Sequence, residues 1–167
     1  MVGRHYLVYS KRYPDVKRQY TVCSSILPPI YSELIRLGDE FLRGEPTNLD
    51  RSIISTKETD SIYLTCKDYK TQKGVASQLH AQQLNKAGDV YYVKGPMGLG
   101  LNIDENGHNI VFCGGTGILV FLDLIAKIVL QQALNIDQTL GEAFKLTLYF
   151  AAPSETEAIG IELCRLL

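Results

Sequence analysis

The chain has 167 residues, 46% of them hydrophobic and 21% charged, with a formal net charge of −1. This size and balance describe one ordinary globular domain or two small ones and exclude a disordered chain. They also exclude the basic field that nucleic acid or an anionic membrane surface calls for.

From Gly3 to Tyr13 the residues alternate and are rich in tyrosine, which is strand chemistry. Pro14-Asp15 turns the chain, and Arg18 to Ser24 predicts a second strand, so the two form a hairpin. Arg4, His5, Lys11 and Arg12 interrupt any apolar opening stretch, so no signal peptide is expected. Pro28-Pro29 stops the sheet, and Ile30, Leu34, Leu37 and Phe41 fall at helical spacing. The expectation is an amphipathic helix over 29–43 closed by Gly44, followed by a polar loop over 45–60. Ser61 to Lys67 predicts a third strand and Gly74 to Leu84 a short helix. Gly88-Asp89 turns into a strand over Val90–Lys94, which Gly95-Pro96-Met97-Gly98 ends.

Asn106-Gly107 turns the chain once more, into Ile110-Val111-Phe112-Cys113. Four apolar residues in a row predict a buried parallel strand. Gly114-Gly115-Thr116-Gly117 breaks it, and the apolar run from Ile118 to Leu130 predicts a buried helix. That run is too short to span a bilayer and contains Asp123 and Lys127, so no membrane insertion is expected. A strand, a glycine turn and a helix start together make an anion site: free N–H groups and the positive end of the helix dipole point over the turn. The run lacks the third glycine of the G-x-G-x-x-G fingerprint, and Leu101 stands where a Walker lysine would follow Gly95–Gly100. A tight turn without a ligand is the competing reading of the glycines. Lys145 to Ala152 predicts another strand, and 155–167 a last helix.

The pattern changes near residue 108, from strands with long loops to strand, helix, strand, helix. Cys23, Cys66, Cys113 and Cys164 lie far apart with no C-x-x-C, and His5, His80 and His108 have no ligand spacing. No metal site is expected, and a reducing, cytoplasmic setting is the simplest one.

Four motifs occur in a telling order: Arg18-x-Tyr20-Thr21, Gly74-x-x-Ser77, Gly95-Pro96-Met97-Gly98 and Gly114-Gly115-Thr116-Gly117-Ile118. Together they resemble the ferredoxin–NADP reductase superfamily of flavoproteins, and within it the cytochrome b5 reductase branch. The resemblance covers nearly the whole chain except about residues 26–60. It implies a β plus α/β fold. A partial antiparallel flavin-binding β-barrel over 1–105, with a helical insertion, precedes a truncated Rossmann-like parallel module over 106–167. It implies FAD and NADH (or NADPH) as cofactors, with hydride passing from nicotinamide to flavin N5 and electrons passing on to a haem protein or another acceptor. Arg18 would neutralise the FAD pyrophosphate. Tyr20 would lie against the isoalloxazine ring, and Thr21 near its N5. Lys67 and Tyr69 match the family's Lys-x-Tyr strand end. Gly74, Val75, Ala76 and Ser77 would wrap the pyrophosphate. Gly95, Pro96 and Gly98, with Gly114, Gly115, Thr116 and Gly117, would line the nicotinamide groove.

Two departures accompany the resemblance. Leu119-Val120 follows the glycine loop where the family usually has Thr-Pro or a similar pair. Two barrel strands and the end of the nucleotide module are also missing, so the expected whole is a longer polypeptide or a chain completed by a partner. A non-catalytic relative acting as an interaction subunit is the alternative reading.

Overall fold

The computed structural model describes residues 3–50, 62–67, 88–135 and 139–167. The chain divides into two compact units, Gly3–Val22 with Tyr63–Gly100, and Cys23–Ile62 with Leu101–Leu167.

The first unit is an antiparallel sheet. β1 (His5–Ser10) lies between β2 (Lys17–Thr21) and β3 (Tyr91–Met97). The expected hairpin is present, with Tyr6 opposite Tyr20 and Val8 opposite Arg18. Alternation along β1 buries Val8 and Ser10 on one face. On the other face Tyr9 stacks on Tyr92 at 5.2 Å, with the Lys17 ammonium over the Tyr9 ring. β3 does not stop at Gly95 as its turn-forming residues suggest. It runs on to Met97 by absorbing one extra residue opposite Tyr6, since Leu7 pairs with Lys94 but His5 pairs with Met97. Gly95 makes this possible: it has φ +154, and a Cβ there would stand 2.8 Å from the Tyr6 ring. Two expectations are corrected here. Residues 62–67, expected as a strand, join no sheet among the described residues. No barrel closes among the described residues either, since this sheet has three strands. The helix expected over 74–84 lies outside the described residues.

The second unit is helices on one face of a parallel strand pair. α1 (Pro28–Leu42) starts on its two prolines, which need no N–H partner there. It ends as the sequence predicts. Gly44 takes φ +68, its N–H donates to the Phe41 carbonyl, and Glu45 N–H donates to the Glu40 carbonyl. This pair of bonds is the Schellman closure that a left-handed glycine permits. β4 (His108–Gly114) pairs in parallel with β5 (Lys145–Ala151). Their register is fixed at the start, where Lys145 N–H donates to the Gly107 carbonyl and Gly141 N–H to that of Glu105. Between the strands run a 3₁₀ turn, Gly115–Ile118, and α2 (Leu119–Leu134).

α2 is the centre of the core. Leu122, Leu124 and Ile125 are fully buried. Leu34 of α1 shares a cluster with Leu122 and Ile125, as do Leu163 and Leu166 from the chain's end, while Leu124 packs with Ile128 and Leu140. The insertion helix therefore belongs with the α/β part, and the expected division at residue 105 becomes the interleaved division above. With its 3₁₀ start the helical segment has 20 residues, Gly115–Leu134, and is long and apolar enough to cross a membrane. The expected length, ending at Leu130, understates it. Its buried face packs against α1 and the terminal residues.

The expected last helix is broken. Only a 3₁₀ turn, Glu155–Glu157, and one turn of helix, α3 (Ile161–Cys164), form. Gly160 interrupts them with φ +71, and a Cβ there would stand 2.7 Å from Leu122 Cδ2. The chain approaches α2 closely because that residue has no side chain.

Asp123 is the acidic residue of α2. Its Oδ1 accepts from Ser25 N–H at 3.0 Å and from the Cys23 thiol at 3.5 Å, and Ser25 and Cys23 are both buried. The carboxylate thus anchors the turn that leads into α1. Asp123→Ala leaves a buried N–H without its acceptor, and the expected loss is about 1–3 kcal/mol of unfolding free energy. Urea unfolding checks it; an unchanged midpoint would show that the turn holds without the carboxylate.

Burial pushes the Cys23 thiol up to about 11, with the Asp123 charge adding to the rise, and burial likewise pushes the Cys164 thiol to about 11. Both folded values lie above the ordinary 9.0. The stability these neutral thiols contribute is therefore complete below pH 9 and is lost as the pH rises toward 11. The urea midpoint should fall across that window, and fall less in the Cys23→Ala/Cys164→Ala double variant. Equal falls in both proteins would remove the thiols as the cause.

Candidate functional site

The site starts from β4. Four apolar residues make a strand, but only one of its faces is covered among the described residues. Val111 is buried, whereas Ile110 is 58% and Phe112 75% exposed. The expectation of a strand buried on both faces is corrected accordingly, since α1, α2 and α3 all contribute to one cluster, which includes Cys113, Leu146, Leu148 and Phe150. On the open face Phe112 stacks flat on its register partner Tyr149, with centroids 4.8 Å apart and rings 8° from parallel. One step further along, the partners are Gly114 and Ala151, the smallest pair in the ladder.

A shallow, mainly apolar cleft of about 470 Å³ lies here, lined by Phe112, Cys113, Gly114, Tyr149, Phe150 and Ala151. Its size falls within the range of small-molecule sites. It stands at the carboxyl ends of two parallel strands, where open α/β sheets take their ligands.

The glycine turn borders this cleft. Gly114 is still extended, at φ −140, and Gly115 then takes φ +51, which only glycine adopts without strain. A Cβ on Gly115 would have no atom within 4 Å, and one on Gly114 would meet only the Ala151 carbonyl, at 3.7 Å. The space over the turn is open. The first N–H groups of a helix have no partner within it, and the dipole adds about half a positive charge at that end. An anionic oxygen fits this geometry. Leu119, the first residue of α2, is buried in the core and fixes the start of that helix.

The residues expected to hold a flavin fare differently. Arg18 and Tyr20 share one face of β2, and Thr21 alternates to the other. Arg18 is exposed and suits a phosphate. Tyr20 is only 8% exposed, and its hydroxyl meets the Cys66 thiol. Burial, reinforced by Cys66, raises its phenol well above the ordinary value. As packed, the Tyr20 ring presents no open face to a flavin, so the three residues do not form one flavin surface. Lys67 follows directly on Cys66, the residue that meets Tyr20. Gly95, Pro96 and Gly98 lie at the end of β3, Gly95-Pro96 as a cis peptide and Gly98 at φ +90. They belong to the first unit, and Gly114, Gly115, Thr116 and Gly117 to the second. Tyr69, Gly74, Val75, Ala76 and Ser77 lie outside the described residues.

Sequence reasoning missed the Phe112–Tyr149 stack and the small Gly114–Ala151 pair, because both depend on a register set by turns more than thirty residues apart. No group of three or more metal-ligating side chains occurs among the described residues. Comparisons with protein families, with curated proteins and with solved structures find no match to this chain.

Proposed function

We propose that the chain is a reductase module of an FAD-dependent NAD(P)H oxidoreductase, with the nicotinamide nucleotide held at the carboxyl end of β4. The observation that carries this reading is the strand–glycine turn–helix unit, with Gly115 at φ +51 beneath open space and Ala151 of a parallel strand level with Gly114. The order of the four motifs supports the reductase class. The reaction class is hydride transfer from a reduced nicotinamide to FAD, with electrons passing on to a haem protein or another acceptor. In this reading the Gly114–Gly117 amides hold the phosphates, and the cleft beside Phe112 and Tyr149 holds the apolar part of the nucleotide. For the flavin, Arg18 supplies a fixed charge suited to a pyrophosphate. The buried Tyr20 ring does not fit the flavin-stacking role, so the flavin assignment rests on the motifs.

A second reading, a non-catalytic interaction subunit, is favoured by the exposed Ile110, Phe112 and Tyr149 on one sheet face. Purifying the chain, adding FAD and removing the excess separates the two. A bound-flavin spectrum with NADH-driven dye reduction supports the reductase. A folded, colourless protein that takes up no FAD removes it and leaves the interaction subunit.

A further inference from the structure

The net charge of −1 hides an uneven division along the chain. The sequence ranges of the first unit, 3–22 and 63–100, hold 10 lysines and arginines against 3 aspartates and glutamates. Those of the second unit, 23–62 and 101–167, hold 7 against 15. The first unit therefore carries a basic field that the average over the whole chain conceals, and such a field attracts an anionic partner.

The fold gathers part of this charge at one end of the sheet, beside exposed apolar side chains. Lys11 and Arg12 follow β1 and Lys17 opens β2; all three are exposed, and Asp15 is the acid between them. Lys11 N–H donates to the Val90 carbonyl at 2.8 Å, which holds the start of β3 against this turn. Arg12 N–H donates to the buried Ser10 hydroxyl at 3.1 Å, and Val16 N–H to the Tyr13 carbonyl at 3.1 Å, so the turn is tied down. Tyr13, Val90 and Tyr92 are exposed at the same end.

Cations beside tyrosine and aliphatic surface match the boundary between water and lipid. Ammonium and guanidinium groups reach the headgroups, while the apolar side chains enter below them. A single-stranded nucleic acid would need open ring faces for its bases. Here both faces of the Tyr9 ring are covered, by Tyr92 of β3 and Lys17 of β2 on either side of the central strand, and Arg12 lies over the Tyr13 ring. We propose that this end of the sheet docks the chain on an anionic phospholipid surface, with Lys11, Arg12 and Lys17 against the headgroups and Tyr13, Val90 and Tyr92 at the apolar boundary. Neither the glycine turn nor a nucleotide enters into it.

The experiment is co-sedimentation of the full 167-residue chain with vesicles of pure phosphatidylcholine and with vesicles containing about 30% phosphatidylserine. The chain should partition onto the anionic vesicles at least about tenfold more strongly, and about 0.5 M salt should remove most of the difference. Lys11→Gln/Arg12→Gln/Lys17→Gln should lower that partitioning at least about tenfold. Arg43→Gln/Lys145→Gln/Arg165→Gln, which takes the same charge from exposed positions of the second unit, should leave it within about twofold. Binding that ignores phosphatidylserine or salt, or that falls equally in both triple variants, overturns the proposal. So does a chain that binds a single-stranded oligonucleotide and no vesicle, or that binds neither. The salt and lipid dependence of the unaltered chain decides the matter even where a variant does not fold.

Discussion

Replacing Leu122 with alanine is expected to cost about 2–5 kcal/mol of unfolding free energy, the range for a fully buried leucine whose cavity cannot collapse. Leu122 is fully buried in the first turns of α2. It shares its cluster with Leu34 of α1 and with Leu163 and Leu166 at the chain's end. Gly160 closes over its methyl groups, with no side chain of its own to move into the gap. Neighbours drawn from separate stretches of the chain cannot all relax toward one cavity, which argues for the upper part of the range. A domain of this kind has only about 5–15 kcal/mol in total, so the variant should show a lowered urea midpoint with an unchanged slope. A loss below about 1 kcal/mol would mean that the cluster is loosely packed.

The second large effect is expected at the glycine turn. Gly115→Val should lower affinity for NAD⁺ by at least about tenfold, as the added methyl groups fill the open space over the turn and a β-branched residue strains at positive φ. Strain alone is separable from site blockage. Gly44 has φ +68 and equally open surroundings at the end of α1, so Gly44→Val imposes a comparable backbone cost away from the turn. Each substitution should cost about 1–2 kcal/mol of stability. Calorimetric titration should find NAD⁺ binding lost only with Gly115→Val. Equal losses in both variants would trace the effect to stability, and no loss in either would place the nucleotide elsewhere.

How much of this was legible in the sequence differs between residues for physical reasons. The strand, the glycine turn and the helix of the candidate site were legible because each is a local property: apolar run, backbone freedom, apolar run again. The two ends of α1 were legible for the same reason, through Pro28-Pro29 and Gly44. The open face of β4 was not. Ile110 and Phe112 are as apolar as Val111, and the placement of α1, α2 and α3 on one side makes the difference. The packing of α1 with α2 was likewise hidden, since Leu34 and Leu122 meet across more than eighty residues of chain. The last helix failed at Gly160, which a periodicity argument passes over but which gives way to the contact with Leu122. Tyr20 shows the limit of a motif. Its place in Arg18-x-Tyr20-Thr21 suggests a ring against a flavin, while the fold buries it beside Cys66.

The proposed function depends on the amides of the glycine turn holding a nucleotide phosphate. Titrating the isotope-labelled chain with NAD⁺ and following its backbone amides by nuclear magnetic resonance tests this most directly. The prediction is that the amides of Gly114, Gly115, Thr116 and Gly117 shift together and saturate, while those around Gly44 stay fixed. Saturating NAD⁺ that leaves these four amides unmoved would contradict it.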